Sequence, residues 1–202
     1  MSRGVKIAIV ISAILILGGV GLSFVNHRKK KIIRQAKLFK GIEEVGTNAG
    51  FDNETFEKMM REVGWRGGDQ WCMFFAKNVY VHSLPKLAED FQKNLSGSTQ
   101  GSFSNIEKGA SPYLEVIKEG SPKVGDIVIW QRKNDSSKGH AGIVIKVKDN
   151  GKKFDAIEGN TNYDPEFMGE GQLVDIVPHE TNYGEGDSVY KSLKLRGFIR
   201  LK

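Results

Sequence analysis

The spacing of apolar residues divides the chain into three parts. Residues 7–25 form one apolar run without a charged side chain. From residue 32 onward, apolar residues recur at intervals near 3.6, which is typical of helices. From Gly125 the interval becomes two, which is typical of strands. The pattern therefore predicts an apolar N-terminal segment, then helices, then a sheet.

Two helices are predicted ahead of the middle of the chain. The first covers residues 32–46 and the second covers residues 56–64. Asn53 or Thr55 can cap the second helix, because their side-chain oxygens accept hydrogen bonds from the unpaired N–H groups of a first turn. Gly64 ends it, as glycine often does at helix C-termini.

A third helix is predicted to be the central one. Between Cys72 and Val81 only Lys77 and Asn78 are polar. A helix that is apolar nearly all round is normally buried, so this segment should lie in the core. Residues 83–122 are predicted to form surface helices and loops.

Five later segments alternate between apolar and polar residues and are separated by Gly, Asn and Asp, which is typical of strands and their turns. They are GDIVIWQ, HAGIVIKV, KFDAIEG, QLVDIV and LKLRGFIRL. Helices followed by a run of strands indicate an α+β fold with an antiparallel sheet.

Residues 7–25 are long enough to cross a membrane. At about 1.5 Å per residue, a helix of this length spans about 28 Å, close to one hydrocarbon core. A secretory signal peptide has a shorter apolar region and a small-x-small cleavage site, and neither is evident here. An uncleaved transmembrane anchor is therefore predicted, with a buried core helix as the alternative.

The basic residues are concentrated around this segment. Residues 1–37 hold eight Lys and Arg and no acid, whereas the rest of the chain holds 22 basic and 24 acidic side chains. The net charge of +6 therefore does not indicate a nucleic-acid partner. The cluster HRKKKIIR predicts contact with anionic lipid headgroups. The predicted parts are a flank at 1–6, a transmembrane anchor at 7–25, a basic juxtamembrane segment at 26–37 and a folded domain at 38–202.

Cys72, in the stretch GGDQWCMFF, is the only cysteine of the chain. A single cysteine excludes an intramolecular disulfide and a multi-cysteine zinc site. If Asp69 caps the central helix, Cys72 lies at its third position, where backbone N–H groups and the helix dipole lower the pKa of a thiol. A nucleophile is therefore predicted, with a packed core cysteine as the alternative.

A thiol nucleophile needs a base, and the chain has four histidines. His27, His82 and His179 are interpreted as surface residues. His140 opens the strongest strand, and strand alternation places it on one face with Gly142. A glycine beside the imidazole leaves room for another element, so His140 is predicted to be the base.

The next strand offers groups that could orient this histidine. Glu158 and Asn160 are two residues apart and share a face, and each could hold an imidazole N–H in the required tautomer. Gln70 and the backbone N–H of Cys72 are candidate donors to an oxyanion. Two tryptophans near these motifs, Trp71 and Trp130, are candidate substrate contacts.

The register between the two strands decides whether the site exists. A two-residue hairpin loop at 150–151 would place His140 on the face opposite Glu158 and Asn160. A bulge in either strand, or a three-residue loop with a bulge, restores a common face. A β-bulge is therefore predicted.

Four motifs, in this order over residues 33–202, resemble the CHAP family of cysteine, histidine-dependent amidohydrolases and peptidases, relatives of the NlpC-like papain-fold cell-wall enzymes. They are GDQWCMFF, GDIVIW, GHAGIVIKV and IEGNTN. The resemblance implies a papain-like fold with a five- to six-stranded antiparallel sheet, and cleavage of peptidoglycan amide bonds through an acyl-enzyme. It also implies a nucleophile at Cys72, a base at His140, and an orienting acid and amide at Glu158 and Asn160.

The sequence departs from the family in two respects. Members usually follow Trp-Cys with small residues, whereas Met73, Phe74 and Phe75 follow here, so a differently shaped groove is expected. Some members bind calcium through an acidic loop ahead of the cysteine. No DxDxDG-like run is present, so neither a metal nor another cofactor is predicted.

The membrane orientation has two opposing indications. The positive-inside rule would leave residues 26–202 in the cytoplasm, whereas peptidoglycan lies outside the membrane. A single-pass protein with its catalytic domain facing the periplasm or cell exterior is predicted, and its anchor is similar to the releasable anchors of phage endolysins. The alternatives are an inactive wall-peptide binding module on the same fold and a cytoplasmic-facing thiol hydrolase or acyltransferase.

Overall fold

The computed structural model describes residues 26–161, 172–182 and 192–202. The predicted transmembrane segment, residues 7–25, lies outside these ranges. Within them, no helix combines the length and the apolar character that a membrane span requires.

The described residues form an α+β fold, as predicted. Its helices are α1 (residues 26–38), α2 (Glu54–Glu62), α3 (Cys72–Ser83), α4 (Ala88–Asn94) and α5 (Thr99–Glu107). Its strands are β1 (Glu44–Val45), β2 (Gly50–Phe51), β3 (Leu114–Ile117), β4 (Ile127–Arg132), β5 (Gly139–Lys148), β6 (Lys153–Thr161), β7 (Leu173–Glu180) and β8 (Leu193–Leu201).

Helix α1 is part of the folded domain. Ile32 and Ala36, four residues apart on one helix face, are fully buried in the core. The basic segment predicted at 26–37 therefore packs against the domain, and the predicted boundary at residue 38 falls at the end of a packed helix.

The predicted helix over residues 32–46 is wrong beyond residue 38. Gly41 turns the chain with φ +85°, and its N–H donates to the carbonyl oxygen of Val174 in β7 at 2.8 Å. The N–H of Glu44 donates to the carbonyl oxygen of Gln172, also at 2.8 Å. This segment thus pairs with the outer edge of the sheet. The pairing satisfies backbone carbonyl groups of that edge, which a further helical turn would leave without a partner in the sheet.

The other two predicted helices are confirmed. Asn53 caps α2, and its Oδ1 accepts from the N–H of Phe56 at 2.9 Å. Helix α3 is buried on nearly every side, with only Phe74 and His82 partly exposed. It packs across β5 and β6, so its first residue lies near the ends of those strands.

A six-stranded antiparallel sheet carries the second half of the chain, in the order β3-β8-β4-β5-β6-β7. All five predicted strands are present. The pattern missed β3, a four-residue edge strand with no clear alternation. The expectation of five to six antiparallel strands is confirmed.

The two faces of the sheet bury different sets of side chains. One face packs against the helices through Ile127, Ile129, Ala141, Ile143 and Ile157. The opposite face forms a second apolar cluster that includes Val128, Trp130, Val144, Phe154 and Phe198. Strand alternation places His140, Gly142 and Glu158 with the second set.

The predicted β-bulge is confirmed. The pairing of β5 with β6 shifts by one residue between Val144 and Lys146. Beyond this bulge Gly142 lies directly opposite Glu158. The connection itself is longer than predicted, because Lys148 pairs with Lys153 and four residues lie between them. The bulge, rather than the loop, therefore brings His140 and Glu158 to one face.

Candidate active site

Cys72 is the first residue of α3, rather than the third as predicted. The residue at the cap position is Trp71, which makes no side-chain capping bond. Asp69 is not the cap, because its Oδ2 accepts instead from the N–H of Arg66 at 3.2 Å. The first turn carries no acidic side chain. The positive end of the helix is therefore not neutralised beside the sulfur.

Trp71 fixes the backbone next to the nucleophile. Its Nε1 donates to Oε2 of Glu44 at 2.8 Å, and its ring meets Phe51 edge-on with centroids 5.0 Å apart. Gly159 in β6 lies so close that a side chain there would collide with the Trp71 ring. Because Trp71 is fully buried, it is not placed to touch a substrate, which corrects the prediction.

His140 begins β5 and is held by Glu158. Its Nε2 lies 2.8 Å from Oε2 of Glu158, and since a carboxylate only accepts, Nε2 carries the hydrogen. Gly142 makes this contact possible, because a Cβ there would lie 2.5 Å from Cγ of Glu158. Trp130 stacks on the imidazole at 5.7 Å and is fully buried. Its predicted role in substrate contact is therefore also corrected.

Cys72 lies close enough to His140 to raise the pKa of its imidazole. Because Nε2 is engaged by Glu158, Nδ1 is the ring nitrogen left for the thiol. Burial lowers the pKa of His140, but the hydrogen bonds and negative charges of Cys72 and Glu158 outweigh it and raise the pKa to about 10. The imidazole is therefore positively charged at neutral pH.

Glu158 stays ionised although it is completely buried. Burial raises its pKa, but the charge of His179 and the hydrogen bond from His140 lead a larger opposing effect, and the pKa falls to about 2. The arrangement thus places a thiol, a charged imidazole and a carboxylate in one row, which is the set of groups that a thiol nucleophile with a base and an orienting acid requires.

Asn160 does not orient His140. Its backbone has φ 58°, and the β6–β7 register shifts between Glu158 and Thr161. The Nδ2 atom of Asn160 donates instead to Oε1 of Gln70 at 2.6 Å. Because this bond occupies the oxygen of Gln70, the amide N–H₂ of that exposed side chain is left for other partners.

Three histidines are predicted to lie at the surface, and the structure contradicts this prediction for one of them. His27 is exposed, and His82 lies at the far end of α3 with its Nε2 3.1 Å from Oε2 of Glu62. His179 was predicted at the surface, which is wrong. It is 2% exposed, and its Nε2 lies 2.5 Å from Oε1 of Glu158.

A local signal for His179 was present in the sequence. Val177 and His179 alternate with Pro178 and Glu180, which is a strand pattern. The prediction ended this strand at the proline. However, β7 is the edge strand of the sheet, and an edge strand can accommodate a proline.

The model of the CHAP domain family matches residues 63–160. The chain contains a CHAP domain. The matched segment includes Cys72, His140, Glu158 and Asn160, whereas His179 lies beyond it.

Among solved structures, the crystal structure of a wild-type endolysin, LysIME-EF1, is similar at 16% sequence identity with a TM-score of 0.41. The match covers 71% of this chain and 62% of the endolysin, so the present chain spans less than two thirds of that protein. The curated proteins contain no significant match.

A groove of about 460 Å³ lies beside the sulfur of the CHAP domain. Two cationic side chains and three hydroxyls line it, and among the residues that the structure describes no acidic side chain does. Arg132 makes no ion pair with the described residues, and Lys138 lies 3.3 Å from Asp135. The lining residues are Gln70, Cys72, Gly97, Ser98, Thr99, Arg132, Ser137, Lys138 and Gly139.

Phe74 lies against Gly97, one of the residues that line this groove. A side chain at Gly97 would collide with its ring, so the loop containing Gly97 lies directly against the phenyl group. The bulky Phe74 is thus accommodated by a glycine opposite its ring.

The described ranges contain no group of three or more His, Cys, Asp or Glu that could hold a metal ion.

Proposed function

We propose that the chain is a peptidoglycan hydrolase in which Cys72 is the nucleophile, His140 transfers the proton and Glu158 orients His140. The observation that carries the proposal is the row beside the groove that Cys72 lines, in which Cys72 acts on the imidazole of His140 and His140 donates to Glu158. The CHAP domain supports it, because members of this family cut amide bonds of the cell wall.

The proposed reaction has two steps. The Cys72 thiolate attacks the amide carbon and forms a thioester, while the amine leaves with the electron pair of the C–N bond and takes the proton of His140. Water then gives a proton to His140 and attacks the thioester, which releases the carboxylic acid and restores the thiolate. The backbone N–H of Cys72 and the amide of Gln70 are the proposed donors to the oxyanion.

The decisive experiment is digestion of purified peptidoglycan with the full 202-residue chain, followed by mass analysis of the soluble fragments. Sugar-free stem peptides with new amino termini would indicate an amidase, and cleaved stems or cross-bridges an endopeptidase. Cys72→Ala should release nothing, because it removes the nucleophile. A matched control is His82→Gln, which alters a histidine about 15 Å further along the same helix. Absence of product from the wild type would favour a binding module instead.

We also propose that residues 7–25 anchor the protein with its domain outside the cytoplasmic membrane. The length of the apolar run and the position of the substrate support this orientation. Helix α1 follows directly and packs on the domain, so the anchor would keep the enzyme close to the lipid surface. Protease added to intact spheroplasts should digest the domain. Complete protection would indicate the cytoplasmic orientation.

A further inference from the structure

The carboxylate of Glu158 has two imidazole partners, not one. Oε2 lies 2.8 Å from His140, and Oε1 lies 2.5 Å from His179. The side chains of Glu158 and His179 are both completely inaccessible to solvent. A single carboxylate thus joins the base of the candidate active site to a histidine on the edge strand β7.

We infer that His179 is a positioning residue that acts through Glu158 on the Cys72–His140 pair. This inference rests on the proposed function, because it assigns a role in the same site. Nε2 of His179 donates to Glu158, which fixes the carboxylate and keeps it ionised with its second oxygen directed at His140.

The need for a second partner follows from burial. A carboxylate removed from water without compensation becomes protonated, because the charged form loses its hydration. The hydrogen bond from His140 reaches Oε2. His179 donates to the other oxygen, Oε1, and its charge opposes the effect of burial on the pKa of Glu158.

Opposite charges follow one another along this row of groups. The charged imidazole of His140 lies between Cys72 and the carboxylate of Glu158, and the charge of His179 acts on the same carboxylate from its other oxygen. Loss of the hydrogen bond and charge of His179 makes the ionised form of Glu158 less favourable, and a less ionised Glu158 stabilises the charge on His140 less. The effect therefore reaches the sulfur although His140 and Glu158 lie between it and His179.

The ring of His179 is fixed by aromatic neighbours. Trp130 lies 4.6 Å and Phe154 lies 5.4 Å from it, measured between ring centroids. Trp130 also stacks on His140, so one indole ring contacts both imidazoles. Among the contacts described, Glu158 is the titratable group that His179 meets.

The test is the pH dependence of Cys72 alkylation by iodoacetamide in the full-length chain. His179→Phe keeps an aromatic ring in the pocket but cannot donate a hydrogen bond. Because a hydrogen bond to a charged group changes an equilibrium about tenfold to a hundredfold, we expect the midpoint of the alkylation profile to rise by about one pH unit or more. At about pH 6, alkylation should slow by about tenfold.

Two further variants make the outcome unambiguous. His179→Gln restores a donor without the charge, so its midpoint should lie between those of the wild type and His179→Phe. His82→Gln is the matched control and should leave the profile unchanged. If His179→Phe does not fold, His179→Leu replaces it, and if neither folds, the profile of His179→Gln decides.

A purely structural role for His179 predicts a different result. Thermal unfolding would occur at a lower temperature, but the alkylation midpoint of the folded variant would equal that of the wild type. That outcome would overturn the inference, as would an unshifted His179→Gln profile when no apolar variant folds. Because alkylation needs no peptidoglycan, a shifted midpoint would support the positioning role even if peptidoglycan digestion failed.

Discussion

Neutralising Glu158 should strongly reduce the activity of the site without leaving a cavity in it. Glu158→Gln keeps the size of the side chain but removes the charge that His140 and His179 both face. A neutral amide also presents an N–H₂ group to one of the two rings. That ring must then change its tautomer or lose its hydrogen bond.

The size of the effect follows from the pKa of His140. Its rise from 6.5 to about 10 corresponds to about 5 kcal/mol, at about 1.4 kcal/mol for each pH unit. Glu158 contributes both a hydrogen bond and a negative charge to this rise, so its neutralisation should lower the pKa of His140. Loss of the acid behind a catalytic histidine costs up to about 10⁴-fold in rate. We expect kcat/KM at neutral pH to fall by about 10² to 10⁴.

The assay is clearing of a peptidoglycan suspension over a range of pH, with circular dichroism to verify folding. The alkaline limb of the wild-type profile should fall near pH 10, because His140 loses its proton there. In Glu158→Gln that limb should move toward neutrality. Glu62→Gln is the matched control, since Glu62 also pairs with a histidine but on the surface. A folded Glu158→Gln enzyme with the rate and pH profile of the wild type would refute the reasoning.

Three further predictions concern the same region. The free energy of unfolding of the wild type should be highest between about pH 4.5 and 6.5. The lowered pKa of Glu158 stabilises the fold above pH 4.5, and this stabilisation is lost as the pH falls toward about 2. The raised pKa of His140 stabilises the fold below pH 6.5, and this stabilisation is lost as the pH rises through about 10, so urea unfolding across the range checks both limbs. Gly142→Ala should displace Glu158, lower stability by about 1–3 kcal/mol and reduce activity, and a variant equal to the wild type in both would contradict the packing described. Arg132→Gln should raise KM for wall fragments that carry free carboxylates with little change in kcat, whereas a fall in kcat alone would place Arg132 in the chemistry instead.

The local spacing of apolar residues predicts those parts of the fold in which each segment buries a defined face. The five strands and helix α3 follow from apolar spacing, and the β-bulge follows from the requirement that His140 and Glu158 share a face. The first predicted helix covers residues 32–46, whereas α1 covers residues 26–38. The prediction extends too far because residues 39–46 keep a helical spacing although Gly41 turns the chain. Here pairing with the edge of the sheet outweighs local propensity.

The errors at the site arise where sequence cannot show which way a side chain faces. Trp71 and Trp130 lie within the motifs and are predicted to touch substrate, yet both are fully buried. Trp71 packs against Gly159, and Trp130 packs against His140. The alternation that places Glu158 and Asn160 on one face does not survive the left-handed backbone of Asn160. His179 was missed because a proline precedes it. Each error depends on tertiary contacts that no local window contains.

Three irregularities of the fold lie at the candidate site. The bulge in β5, the glycine at 142 and the left-handed Asn160 all serve the contacts of His140, Glu158 and Gln70. A buried carboxylate between two imidazoles is expensive to maintain, since well-packed apolar residues in its place are often as stable or more so. A module that only bound wall peptides would have no use for such a row of charges behind its cysteine. The free-energy cost of burying this carboxylate is explained if Cys72 reacts. The first experiment should therefore remove the charge on Glu158.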